Sequence, residues 1–190
     1  MVFKDLVFRT RSYRRFDESY QITYKTLEGL IDLARLSAST ANRQPLKYVI
    51  CNTPDKCERV FPTLAWAGYL KEWDGPSEGQ RPSAYIIILG DKSITEAFGV
   101  DPGIAAQSIM LGATEEGLGG CIIASVKREQ LRNELKIPEK YEILLVLALG
   151  RPVEKVIVDD MKDGDVKYWR DPEKNHHVPK RPLNEIIVDL

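Results

Sequence analysis

Four arginines crowd one short segment near the start of the chain. Arg9, Arg11, Arg14 and Arg15 stand with Ser12 in the run FRTRSYRRF, residues 8–16. Guanidinium groups are rigid forks of N–H donors, and with a hydroxyl among them they suit a phosphate or a carboxylate. The same run also reads as a solvated basic loop, and its own residues leave both readings open. A second basic pair, Lys180 and Arg181, lies near the other end. Other chemistry is harder to assemble. His176 and His177 are adjacent, so they point differently, and no Cys, Asp or Glu pattern gives them metal-ligand spacing. No metal is assigned. Cys51, Cys57 and Cys121 are odd in number and match no zinc motif. They read as reduced thiols of a cytoplasmic protein, with Cys121 buried and inert beside a strand. No Ser–His–Asp or Cys–His arrangement is present.

The composition bounds the possibilities. A chain of 190 residues suits one domain, long enough to bury roughly 70% of its unfolded surface. A formal charge of -1 and a pI near 6.2 argue against a general nucleic-acid binder, so any anion site is local. The N-terminal MVFKDLVFRT lacks the apolar run of a signal peptide, and no segment approaches the ~20 apolar residues that span a bilayer. The expectation is a soluble, cytoplasmic domain with no membrane partner.

The elements that must hold these groups follow from periodicity and punctuation. Phe3, Leu6 and Val7 predict a short helix stopping at the arginines. Thr23 predicts an N-cap, Ile22 and Leu27 a hydrophobic staple, and Leu27, Leu30, Ile31 and Ala34 one apolar stripe. SASTANRQP ends that helix at Pro45, and KYVIC reads as a strand. Thr53-Pro54 opens a helix that Pro62 interrupts. AYIIIL is a continuous apolar run, predicting a strand covered on both faces. Asp101-Pro102 repeats the cap-plus-proline signal for a helix to about Glu116, whose Ala105, Ala106, Gly112 and Ala113 permit close packing. Gly117, Gly119 and Gly120 precede the strand CIIA; Ser125 is read as the cap of a helix through Leu135; EILLVLALG is the last strong strand. Residues 151 to about 180 are polar with little periodicity, and LNEIIVDL is apolar again. An unpaired strand at the end of a long polar arm is a liability, so residues 151–190 are expected to reach a second copy of the chain. A doubly wound parallel sheet would need a glycine-rich phosphate loop after the first strand, and CNTPDKCERV has none.

RSYRRF after a short first helix, SASTANRQP ending the second, GIAAQSIMLGATEEGLGGCIIAS and the closing VPKRPLNEII occur in one order. Together they resemble the FMN-dependent nitroreductase family across nearly the whole chain. The resemblance implies an α+β fold, with a mixed central sheet flanked by helices, in an intertwined homodimer. The C-terminal segment would add a strand to the partner's sheet, and FMN would bind at the dimer interface. It further implies that Arg11, Ser12, Lys180 and Arg181 hold the FMN phosphate. Arg14 would reach the flavin near its N1–C2 edge, and Tyr13 would contribute through its backbone. Ser39, Thr40, Asn42 and Gln44, followed by Pro45, match a polar segment that contacts the flavin held mainly by the other subunit. Ile122, Ile123, Ala124 and Ser125 match the strand end beside N5. The sequence departs from the family at Thr10, where many members are basic, at Leu46, often aromatic, and at Ala124, acidic in some relatives. Trp66, Tyr69 and Trp73 fit either core packing or a pocket wall.

The implied activity is transfer of hydride from NADH or NADPH through FMN to a small acceptor such as a nitroaromatic or a quinone. No protein acid or base is needed for the hydride step, because the cofactor carries the chemistry. A family dehydrogenase or dehalogenase, and a non-catalytic FMN-binding module, stay open beside it.

Overall fold

The computed structural model describes residues 2–189. Helix α1 (Phe3–Arg9) ends where the arginine run begins, and a short strand β1 (Phe16–Asp17) follows that run. Helix α2 (Tyr24–Leu36) starts as its sequence predicts: the Thr23 hydroxyl accepts from the Thr26 N–H at 3.1 Å, and Leu27, Leu30 and Ala34 are buried. Strand β2 (Leu46–Cys51) leads to α3 (Pro54–Val60), which opens on its proline although the Thr53 side chain makes no cap bond. Pro62 lies in the 3-10 turn that ends it.

Strand β3 (Ala84–Asp91) is buried along its whole length. Helix α4 (Asp101–Glu115), strand β4 (Gly119–Ile123), helix α5 (Arg128–Leu135) and strand β5 (Tyr141–Pro152) complete the body. In the main sheet β1, β3 and β4 all pair with β5, and β2 pairs with β3; each of these ladders is antiparallel. Its parallel component is a bridge between Ser12 and Gly120.

The period of two along β3 explains the layers. Ile86 and Ile88, with Leu147 and Leu149 of β5, pack on Leu27, Leu30, Ala106 and Ile109 of α2 and α4. Tyr85 and Ile87, with Val146 and Ala148, face the opposite way onto Val60 of α3 and Leu131 of α5. Burying one such aliphatic side chain contributes about 1.5–3 kcal/mol, so this doubly covered sheet is the main source of stability. The small residues of α4 serve its crossing with α2, where a Cβ on Gly112 would overlap Leu33 and touch Leu30.

Four sequence expectations are corrected. Asp101 is not the cap of α4: Val100 is the N-cap, and Asp101 begins the helix and serves another purpose described below. Ser125 caps nothing, because α5 starts at Arg128 and the Ser125 carbonyl accepts from the Ala65 N–H at 3.0 Å. Residues 151–180 are not a featureless arm. They form a second sheet of β6 (Val156–Asp160), β7 (Trp169–Arg170) and β8 (His176–Lys180), with β6 and β8 parallel and β7 antiparallel to β8. The apolar tail, read as a strand, instead forms the short helix α6 (Leu183–Ile186), exposed throughout. Among the described residues no helix is long and apolar enough to cross a membrane.

Candidate functional site

The arginine run is clamped from three sides. Behind it, the buried Thr10 hydroxyl oxygen lies 2.8 Å from the Leu6 carbonyl and 3.0 Å from Thr114 Oγ1, sharing its one proton between them and tying the end of α1 to α4. Beside it, the Tyr13 N–H donates to the Gly120 carbonyl at 2.9 Å, so this donor is directed to β4 and not outward. Gly119 and Gly120 are required there, since a Cβ would strike the Tyr13 ring at one position and the Ala148 carbonyl at the other. In front, the Glu154 carboxylate, 2% exposed, accepts from the backbone N–H of Arg14, from that of Arg15 at 3.1 Å, and from Arg170 Nη2 at 3.1 Å. A buried carboxylate is tolerated only when its lone pairs are used this way.

Arg14 is thereby held with its side chain 9% exposed as a residue and yet open to a groove. Its Nη1 donates to His176 Nε2 at 3.1 Å and lies 3.4 Å from the Ser12 carbonyl, while its guanidinium carbon sits 5.0 Å from the centre of the Tyr168 ring. Two clefts meet here. One, of about 250 Å³, is lined by Arg11, Ser12, Gln107 and Lys180; the other, of about 220 Å³, by Trp66, Gly68, Ala124 and Ser125. Arg14, Ile122 and Tyr168 line both. Each alone is below the usual size of a ligand pocket, about 300–1,000 Å³.

The first cleft is the basic end. Arg11 gives one N–H to the Val7 carbonyl at 2.6 Å, its Nε is buried with no partner among the described residues, and Ser12 is an exposed residue whose side chain bonds Cys121. Lys180 reaches this cleft from β8, whereas Arg181 turns away to Glu185 at 3.1 Å. The second cleft runs along the exposed end of β4. Ile122, Ala124 and Ser125 are open to it, Ile123 is buried in the core, and Trp66 forms a wall as well as a core contact. The Tyr69 ring meets the Tyr168 ring at a tilt, with centroids 4.9 Å apart, and Trp73 lies under the Arg170 guanidinium at 4.2 Å. Cys121 also lines this cleft, and burial, against the opposing charge of Arg14, pushes its thiol up.

The two histidines have opposite fates. His176 is 1% exposed; burial, then the charges of Arg14, Arg170, His177 and Arg15, pull it down to about 4, so it is neutral at pH 7. His177 faces the other side of β8 and stacks on Trp169 at 4.1 Å. Burial works against its charge, but bonds to Asp159 at 2.7 Å and Asp171 at 3.2 Å outweigh this and raise its pKa.

Ser39, Thr40, Asn42 and Gln44 lie elsewhere. Their loop borders a separate cleft of about 220 Å³ with Arg35, Tyr48 and Asp101, which shares no lining residue with the arginine groove. Asp101, 3% exposed, organises it: Ser39 Oγ donates to one carboxylate oxygen at 2.6 Å, and Thr40 donates its hydroxyl at 2.7 Å and its N–H at 2.9 Å to the other. Burial raises the Asp101 pKa, but these donors win and hold it below the ordinary carboxylate value. Ser39 Oγ accepts in turn from the Gln44 N–H at 3.0 Å, and Gln44 Nε2 donates to the Asn42 carbonyl at 3.2 Å. Ala41, Asn42 and Gln44 all take positive φ, which costs non-glycine residues free energy and marks the loop as one held to a purpose. Glu154 and Tyr168 escape the sequence altogether, while Asp101 is expected there only as a helix cap and His176 is considered only as a metal ligand and set aside. Nothing local distinguishes them, because each acts on a partner far along the chain.

Known proteins share this fold. The profile of the nitroreductase family matches residues 7–151. A provisionally named NADH dehydrogenase/NAD(P)H nitroreductase of Archaeoglobus fulgidus is 22% identical over 179 residues, 90% of this chain and 94% of that protein. A nitroreductase family protein of Clostridium difficile 630 has the same fold, with a TM-score of 0.69 and 21% identity over 99% of this chain and 98% of that one. A provisionally named nitroreductase of Exiguobacterium sibiricum, solved in complex with FMN, superposes with a TM-score of 0.66 at 17% identity, covering 81% of this chain and 90% of that one.

Proposed function

The chain belongs to the nitroreductase family, and on that premise we propose that it is an FMN-dependent oxidoreductase. It takes hydride from NADH or NADPH and passes electrons to a small acceptor such as a quinone or a nitroaromatic. The observation that carries this reading is the pair of clefts joined at Arg14, basic at one end and flanked by an open strand end at the other.

The residues present fit FMN. Its phosphate carries about two negative charges near neutral pH. Arg11, Ser12 and Lys180 stand around the basic cleft, with the Arg11 Nε buried and lacking a partner among the described residues. Each charge-assisted hydrogen bond contributes about 1.5–3 kcal/mol and micromolar affinity needs about 8 kcal/mol, so a few such contacts account for much of it. Arg181 joins them by leaving an exposed ion pair with Glu185 that is worth about 0–1 kcal/mol. Arg14 would place fixed positive charge beside the N1–C2 edge, and the end of β4 at Ile122–Ser125 would border the ring. When bound, FMN supplies hydride acceptance and delivery.

Ser39, Thr40, Asn42 and Gln44 reach the cofactor of a second chain in a homodimer. Asp101 takes the hydroxyl protons of Ser39 and Thr40, so Thr40 presents its oxygen as an acceptor. The apolar surface of α1 (Phe3, Phe8) and the tail (Leu183, Ile186, Val188) is strongly exposed in one chain and is what such a dimer would cover.

The test is direct. Purified protein is expected to be yellow or to become so with added FMN, to bleach with NADH or NADPH in the absence of oxygen, and to turn over with a quinone or a nitroaromatic. Protein that refuses added FMN overturns the reading; FMN binding with neither bleaching nor turnover overturns its enzymatic part.

A further inference from the structure

Arg14 has several N–H donors and a flexible stem, so something must decide which of them face the groove. We propose that His176 is the positioning residue for Arg14, accepting one guanidinium N–H at Nε2 and thereby turning the remaining donors toward the joined clefts. This rests on the FMN reading above.

Four observations support it. The contact from Arg14 Nη1 is 3.1 Å, and His176 is 1% exposed, so water does not compete for it. A guanidinium has no lone pair, so Nε2 must be the acceptor and the ring proton must sit on Nδ1. That nitrogen is buried and has no partner among the described residues, so the bond to Arg14 is the hydrogen bond the imidazole side chain makes there. Tyr168 completes the seat, with its ring centre 5.0 Å from the Arg14 guanidinium and 5.2 Å from the His176 ring. The neutral state that the acceptor role needs is enforced by burial and by Arg14, Arg170, His177 and Arg15 around it. His177 next door is stabilised in its charged form by Asp159 and Asp171 and so serves the small sheet instead.

The test uses the whole chain and two variants. His176→Phe keeps the ring and loses the acceptor; His176→Gln keeps an acceptor oxygen on a side chain of similar reach. A bond to a charged group predicts a roughly tenfold rise in the FMN dissociation constant for H176F, measured by flavin fluorescence, with H176Q close to wild type. If the contact aids the reduced cofactor tenfold more than the oxidised one, the two-electron potential falls by about 30 mV in H176F. In an Arg14→Ala background, H176F is expected to change neither quantity. Nitrogen-15 NMR of the two histidines should find Nε2 of His176 unprotonated at pH 7 and Nδ1 protonated. Wild-type protein that binds FMN while H176F matches it in affinity and potential overturns the inference alone, as does a proton on Nε2. Wild-type protein that binds no FMN overturns the inference together with the reading beneath it. Should H176F fail to fold, the ring-proton measurement on the unsubstituted chain decides.

Discussion

Replacing Glu154 with alanine tests how the groove is held. The carboxylate is 2% exposed and receives the N–H groups of Arg14 and Arg15 and one N–H of Arg170, whose side chain is 12% exposed. Alanine leaves all three donors without this acceptor in a site that water reaches poorly. Breaking a buried ion pair from one side costs about 3–5 kcal/mol, and a deserted buried N–H costs about 1–3 kcal/mol. These overlap, so the expected loss is about 4 kcal/mol, a large share of the roughly 5–15 kcal/mol that holds a domain. At about 2–4 °C per kcal/mol for a chain of this length, Tm should fall by about 8–16 °C. Glu154→Gln, which keeps an acceptor for the amides but turns an amide group toward Arg170, should lose about half as much. Chemical denaturation followed by circular dichroism gives the free energies, and an Arg170→Leu cycle isolates the pair. Hydrogen exchange should reveal β6–β8 opening before the central sheet. A loss under about 1 kcal/mol for E154A, or no coupling to Arg170, would refute the claim that Glu154 clamps the arginine run against Arg170 of β7.

The charged clusters should imprint opposite pH dependences. Asp101 has a depressed pKa when folded, so its stabilisation is present above the ordinary carboxylate value and lost as pH falls through the folded pKa; Asp101→Asn should flatten that acid limb of a stability-against-pH curve. His177 has a raised pKa, so its contribution is complete below about 6.5 and disappears as pH rises through the folded value, a slope that His177→Gln should abolish. Two glycine substitutions should differ in sign. Gly29 lies inside α2 with nothing within 4 Å of a new Cβ, so Gly29→Ala should stabilise by about 0.5–1 kcal/mol. Gly120→Ala drives its Cβ into the Ala148 carbonyl, a backbone atom that cannot step aside, and should destabilise by about 1–3 kcal/mol in the same denaturation assay.

Much of the architecture was readable because its signals are local. The Thr23 cap and the Leu27–Leu30–Ala34 stripe form a helix through contacts within a few residues. AYIIIL declares a strand apolar on both faces whatever its neighbours are. The density of arginine between Arg9 and Arg15 marks a concentration of positive charge without any knowledge of the fold, and the fold decides that part of it lines a groove. The helix starts at α4 and α5 misled because a cap is only a side chain near a free amide, and tertiary partners can outbid it. Asp101 serves Ser39, 62 residues away, and α5 begins beyond Ser125. Residues 151–180 were illegible for a related reason: their strands are short, half-buried and paired in parallel, so neither period is strong.

Which segments coil, which extend and where positive charge gathers are fixed locally, because propensity and periodicity act over a few residues. Only the tertiary structure decided that Glu154 and His176, 140 and 162 residues beyond Arg14, would seat its backbone and its guanidinium. The Ser39–Gln44 loop was likewise placed apart from that groove by the packing of the chain. Such pairings depend on where the chain returns after it has packed, and packing is a property of the whole core that no local run of residues can specify.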